Sequence, residues 1–459
     1  MEAPATTDAL TALRARLAVV ADLRAAASVL EWDQETYMPP GAAEARAHQL
    51  ATLKTLAHEH FTHPEIVRLL EAAADAVDGR PEDDASAALV RVTRRDVARQ
   101  ARLSADFVAR QAEAVALAKE AWKQARQDSN FAHFAPHLER LVGLAREQAE
   151  ALGYDDQPYD ALLEEYEPGM TTREVAGVFE GLRAELVPIV EALAEAEPPD
   201  DTFLHRPFDE EKQWAFGLDT IRAFGYDFGR GRQDRSAHPF STTFAISDVR
   251  ITTRVQPDFF PTAFFGTLHE AGHALYEQGI DPALARTPLA DGTSLGMHES
   301  QSRLWENLVG RSAAFWRGAY PKLQQTFPDA LGGVGLDAFL RAVNKVQPSP
   351  IRVEADEVTY NLHVMLRFEL ETALLDGSLA VADVPAAWNE KMRETLGLTP
   401  ETDAEGCLQD IHWSLGALGY FPTYALGNLM SVPLFDQARA DLGDLDEQMA
   451  AGRFEGLLG

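Results

Sequence analysis

Cysteine is almost missing. Cys407 is the one thiol in 459 residues, so no intrachain disulfide is available and nothing points to an oxidising compartment. Positive charge is scarce as well. Only 41 Lys and Arg stand against 72 Asp and Glu, a formal net charge of −31 at pH 7, and that balance argues against nucleic acid or an anionic membrane as a partner. Long apolar runs are lacking too: none approaches the roughly 20 residues of a membrane span. The N-terminus carries no basic head followed by an apolar core; Leu17 to Leu30 comes nearest, but Asp22 and Arg24 interrupt it and helical spacing accounts for its apolar positions. The expectation is a cytoplasmic protein with neither nucleic acid nor membrane among its partners.

What is present is ample for a large core. Hydrophobic residues make up 46% of the chain and charged ones 25%, ordinary for a soluble globular protein. The length allows two or three ordinary domains, or one large helical body with a cleft. Residues 1 to about 153 are rich in Ala, Leu, Arg and Glu at helical spacing, with a turn expected over 78–84. Glu31 to Pro40 combines aromatic and acidic residues before two prolines, which reads as a packed helix end or, less commonly, as part of a cleft. Thr171 to Glu174 offers a capping box and 195–201 a loop. The segment 241–255 is dense in β-branched residues with a break at Ser247-Asp248, so two short strands are expected there. Helix resumes from about Glu299, interrupted at 348–350 and 396–405. No internal repeat is evident.

The stretch around which these elements are arranged is His269-Glu270-Ala271-Gly272-His273. Histidines four apart lie one above the other on a helix and can point at one ion, and Glu270, directly after the first, is left beside the metal, where a carboxylate can take a proton from metal-bound water. Pro261 suits the first turn of that helix, Phe264, Phe265, Leu268 and Leu275 recur at helical spacing, and Gly279 is placed to end it. A third ligand follows in Gly296 to Glu306, which reads as a second helix with Glu299 in its first turn. Glu299 completes a His2Glu set with an open fourth position; His298 is the rival ligand.

A zinc peptidase must also stabilise an oxyanion and hold its substrate in register. Tyr420 and Tyr424 offer two phenols for the first task, although a core or interface tyrosine is the ordinary case. Arg250 and Arg352 offer a bidentate grip on a carboxylate, although ion pairing within the protein is the commoner fate of an arginine. His238 and His412 stand isolated in the sequence, and Glu354 and Asp356 are candidates to orient a ligand imidazole.

Taken together, the motifs resemble those of the carboxypeptidase Taq metallocarboxypeptidases, also called thermostable carboxypeptidase 1. The likeness runs through His238-Pro239-Phe240, Asp248 to Thr252, His269 to His273, His298 to Gln301, Ile351 to Asp356 and Gly406 to Trp413 in the family's order, and includes Trp32 to Pro39. The resemblance implies a single metallocarboxypeptidase domain over residues 1–459, mostly α-helical like neurolysin and angiotensin-converting enzyme. In such a fold a deep cleft separates two helical walls, and a small sheet lies beside the metal helix. It also implies a homodimer, Zn2+ or sometimes Co2+ as cofactor, and release of single C-terminal residues from peptides, with broad preference and poor action at proline. By motif position His269, His273 and Glu299 become the ligands and Glu270 the base. Arg250 and Arg352 become candidates for the terminal carboxylate, His238, Gln409, Asp410 and His412 line the cleft, and Tyr420 or Tyr424 faces the oxyanion. Chains of this family usually continue several helical turns past the counterpart of Gly459, which leaves substrate preference open. Two other readings stay in view: an oligopeptidase or dipeptidyl carboxypeptidase of the same zinc fold, and a non-catalytic peptide-binding protein with a metal, against which an intact Glu270 stands.

Overall fold

Residues 6–459 are described by a computed structural model, so for residues 1–5 the helical expectation lies outside the described residues. The first helix, Thr6–Thr36, places Leu13, Leu17 and Val20 on one buried stripe. That stripe packs on Phe61, Ile66, Leu69 and Leu89 of the helices Ala43–Phe61, Pro64–Val77 and Ala85–Arg102. The expected turn over 78–84 ends in Asp84, whose carboxylate caps the next helix by accepting the Ser86 and Ala87 N–H groups.

Two larger cores follow. One gathers the helices Ala105–Gln127, Phe131–Leu152, Thr172–Ala194 and Val384–Leu396 around Thr359–Asp376, a helix buried on nearly all sides. The capping box expected at Thr171 and Glu174 is formed. The other core surrounds the helix Phe260–Gln278, whose Phe260, Phe264 and Leu268 are buried in one cluster with Phe216, Phe224, Trp305, Phe315 and Trp316. Pro261 lies in that helix's first turn and Gly279 is its C-cap, as its sequence suggests.

The sheet has three strands where two were expected: β1 (Gln233–Arg235), β2 (Ser241–Ala245) and β3 (Asp248–Thr253), in the order β1-β3-β2. β3 runs antiparallel to β2, pairing Thr242 with Arg250, and parallel to β1, pairing Gln233 with Ile251. The short Gln-Asp-Arg strand escaped notice because it carries no β-branched or aromatic residue; it is held by its neighbour, not by its own propensity. Helix Leu295–Arg303 starts four residues before Glu299, which therefore sits in its second turn. Ser294 makes the earlier start by accepting the Met297 N–H, and Glu167 takes the Gly296 N–H. The helix then widens into a π-helical turn, Leu304–Val309. A cavity of ≈ 1050 Å³ separates the N-terminal helices from the 281–298 segment, with Tyr166, Tyr276 and His298 in its lining.

Candidate metal centre

Two helices must meet closely for the three candidate ligands to converge. Gly272 permits the meeting, since a Cβ there would stand 2.6 Å from the Ser302 Cα and 2.7 Å from the Gln301 carbonyl oxygen. On the other side the helix Pro422–Leu442 closes in through Gly427, where a Cβ would stand 2.6 Å from the Glu299 Cβ. Between them one oxygen of Glu299 lies 3.8 Å from His269 Nε2 and 3.6 Å from His273 Nε2. Donors about 2.1 Å from one ion at tetrahedral angles are about 3.4 Å apart, so the spacing and the donor chemistry suit a small divalent cation such as zinc. His269, His273 and Glu299 form the candidate metal group among the described residues.

The outer ring nitrogens are spoken for. His269 Nδ1 lies 2.9 Å from Glu306, whose carboxylate accepts its hydrogen and leaves Nε2 with a free lone pair. His273 Nδ1 lies 2.6 Å from His298 Nδ1 and 3.1 Å from its carbonyl oxygen, while His298 Nε2 bonds the buried Glu277 at 2.7 Å. That arrangement protonates His298 on Nε2 and His273 on Nδ1, so His273 also turns a lone pair inward. His298, the rival ligand, thus supports His273 from behind. Glu354 and Asp356 do not orient an imidazole: Glu354 is exposed, and Asp356 caps the Thr359–Asp376 helix by accepting from Val358, Thr359 and Gln347.

Arg303 binds the carboxylates together. Its Nε donates to Glu299 Oε1 at 2.7 Å and its Nη1 to Glu306 Oε2 at 3.1 Å, which leaves the other Glu299 oxygen facing the histidines. Burial would raise Glu306, but Arg303 and His269 hold it well below the usual carboxylate range. Burial also lowers His273, assisted by His269. At His269 burial works downward but Glu299 and Glu306 outweigh it, and the net shift is upward. Glu270 is buried beside them, and burial pushes its carboxyl up to about 7, against the pull of His269.

The opposite wall belongs to the other large core. Tyr420 and Tyr424 are half-buried with rings 5.2 Å apart, and His412 Nε2 lies 3.2 Å from the Tyr424 hydroxyl. Both phenols feel the charge of Glu299. Arg352 is buried, with Nε and Nη2 donating to Asp410 at 3.0 and 2.8 Å and Nη1 to the Tyr360 hydroxyl at 2.7 Å. Asp410 is further paired with the fully buried Arg367 at 3.6 Å. Gln409 is a tie within the wall, accepting the Arg352 backbone N–H and donating to the Pro350 and Glu405 carbonyls.

Arg250 belongs to the sheet. It pairs with Asp248 at 2.8 and 2.9 Å and lies between the Trp32 and Phe244 rings, 4.5 and 4.9 Å from their centroids. The Trp32 segment is therefore a packed helix end that also covers a candidate substrate residue, with Tyr37 bonded to Asp234. His238 is exposed; its carbonyl accepts the Ser236 hydroxyl, and the next residue, Pro239, lies against the helix Phe260–Gln278 at Gly266. Arg303, Glu306, Glu277 and Tyr360 went unremarked in the sequence. The signal for two of them was present, since Arg303 and Glu306 follow Glu299 by four and seven residues on one helical face.

The chain is also similar to known proteins. Residues 12–459 match the family described as carboxypeptidase Taq (M32) metallopeptidase. The chain is 45% identical over 441 residues to thermostable carboxypeptidase 1 of Thermus thermophilus, covering 93% of this chain and 86% of the relative. It is 39% identical over 430 residues to carboxypeptidase 1 of Bacillus subtilis, covering 94% and 85%. The crystal structure of the M32 carboxypeptidase from Deinococcus radiodurans R1 superposes with a TM-score of 0.95 at 43% identity, over 98% of this chain and 90% of that one.

Proposed function

The chain belongs to the carboxypeptidase Taq (M32) metallopeptidase family and is a carboxypeptidase, and from that premise we propose that it removes single amino acids from the free C-terminus of peptides. The observation that carries the proposal is the convergence of two imidazole nitrogens and one carboxylate oxygen beside the buried Glu270. His269, His273 and Glu299 would hold Zn2+, with Co2+ an acceptable substitute. A cation in this set supplies Lewis acidity to water and to the scissile carbonyl.

The chain's own residues do the rest. Glu270, with a pKa near neutrality, takes the proton that the attacking water gives up and passes it to the departing amine. Tyr420 and Tyr424 are the donors proposed for the oxyanion, and His412 fixes the second of them. Arg352 and Arg250 are the cations proposed for the terminal carboxylate. His238 at the rim, and Gln409, Asp410 and His412 in the wall, shape the space around the peptide. Specificity is inferred to be broad, with proline poor because its tertiary amide lacks an N–H and its φ is fixed. The working unit is inferred to be the whole chain as one domain, as a homodimer in the cytoplasm, where a lone buried thiol would stay reduced.

The test pairs a short peptide with its C-terminally amidated twin. Release of the last residue from the free acid, with the amide cut at least 100-fold more slowly, is the expected result. Equal cleavage of both, or release of dipeptides, would favour an oligopeptidase or dipeptidyl carboxypeptidase instead.

A further inference from the structure

Tyr360 stands between the metal set and the arginine wall. Arg303, which holds Glu299 and Glu306, lies over its ring at 4.5 Å; the Tyr424 ring meets it edge-on at 6.0 Å; and its hydroxyl oxygen accepts Nη1–H of Arg352. Like the two tyrosines already described, it feels the charge of Glu299.

Arg352 is poorly placed to act alone. Asp410 occupies its Nε and Nη2 as a bidentate partner, Tyr360 takes a hydrogen of Nη1, and only 5% of the residue is exposed. The positive charge behind the wall is therefore largely matched before any peptide arrives. A phenol oxygen that accepts from a guanidinium, however, turns its own hydrogen elsewhere and becomes a stronger donor. No acceptor for that hydrogen is found among the described residues. Burial does not set Tyr360 apart from the proposed catalytic base: it is 6% exposed, against 7% for Glu270.

We propose that Tyr360 is a further substrate-contacting residue, whose O–H donates to the terminal carboxylate of the bound peptide and delivers there the polarisation that Arg352 supplies from behind. The proposal rests on the carboxypeptidase reading above. It assigns the recognition of the chain end to a phenol backed by an arginine instead of to an arginine fork.

The experiment uses the zinc-loaded Glu270→Gln protein, expected to bind peptides with turnover slowed about 100- to 10,000-fold, and calorimetry with a tripeptide and its C-terminal amide. Adding Tyr360→Phe removes one hydroxyl and keeps the ring under Arg303. The free acid is expected to bind about 10- to 100-fold more weakly, as for loss of a hydrogen bond to a charged group. The amide should change less than twofold and zinc content not at all. Tyr360→His, which keeps a ring donor, should recover part of the preference and serves also if the phenylalanine variant folds poorly. Unchanged affinity for the free acid overturns the proposal, as does equal weakening for both peptides or loss of zinc, either of which makes Tyr360 a support. If the parent protein itself binds acid and amide alike, the carboxypeptidase reading fails, and this inference with it.

Discussion

Glu306 Oε2 is shared: His269 Nδ1 reaches it at 2.9 Å and Arg303 Nη1 at 3.1 Å. One buried carboxylate thereby fixes the tautomer of a ligand and the position of the guanidinium that holds another. Glu270 has the opposite character, a carboxyl that burial raises to about 7. The two should separate cleanly on substitution. Glu306→Gln keeps the shape but not the charge that fixes His269, so zinc affinity should fall about 10- to 100-fold in chelator competition. Glu270→Gln should hold zinc within a few-fold of the parent while kcat falls about 100- to 10,000-fold, the usual range for a lost general base. Loss of zinc in the second variant, or full affinity in the first, would reverse the two assignments.

Elements were legible where one stretch of chain states its own structure. The helix Phe260–Gln278 announces itself through Pro261, its apolar spacing and Gly279, and its histidines need only the helical repeat to align. The capping box at Thr171 is equally local, as is the turn over 78–84. What stayed hidden depends on partners distant in sequence. β1 exists because β3 offers it an edge, His298 faces away from the metal set because Glu277 takes its Nε2, and Tyr360 matters only because Arg303 and Arg352 flank it. Close helix contact is of this kind too, and it gives a prediction at this scale. In Gly427→Ala the new methyl would meet the Glu299 Cγ at 2.5 Å and Cβ at 2.6 Å, so either the helix Pro422–Leu442 or the ligand must shift. Overpacking of this sort costs about 1–3 kcal/mol. A lower melting temperature together with weaker zinc binding is expected, whereas Gly333→Ala, with nothing within 4 Å of its Cβ, should leave both unchanged.

Across the whole molecule, the site forms where two cores meet: the HExxH helix belongs to one and the tyrosine wall to the other. Neither core alone holds ligands and wall together, so the site persists only over the pH range in which the whole fold is stable. His363 gives that range a definite sign. It lies on the Thr359–Asp376 helix, 2% exposed, and burial, helped by the nearby positive charge of Arg352, lowers its pKa to about 4. An unfolded histidine titrates near 6.5. Its folded value is depressed, so between about pH 6.5 and 4 the unfolded chain binds a proton that the folded chain refuses. Stability is therefore intact above that window and falls through it by about 1.4 kcal/mol per pH unit. His412, lowered by burial to about 3, acts in the same direction. Buried acids such as Glu371, raised by burial, act in the other, so the measurement must isolate one group. In parallel urea titrations from pH 6 to 4.5, His363→Gln should lose about 2 kcal/mol less stability than the parent, whatever its stability at pH 7. Parallel curves would mean that His363 is already protonated in the fold, and that the charge of Arg352 is matched there by more than Asp410.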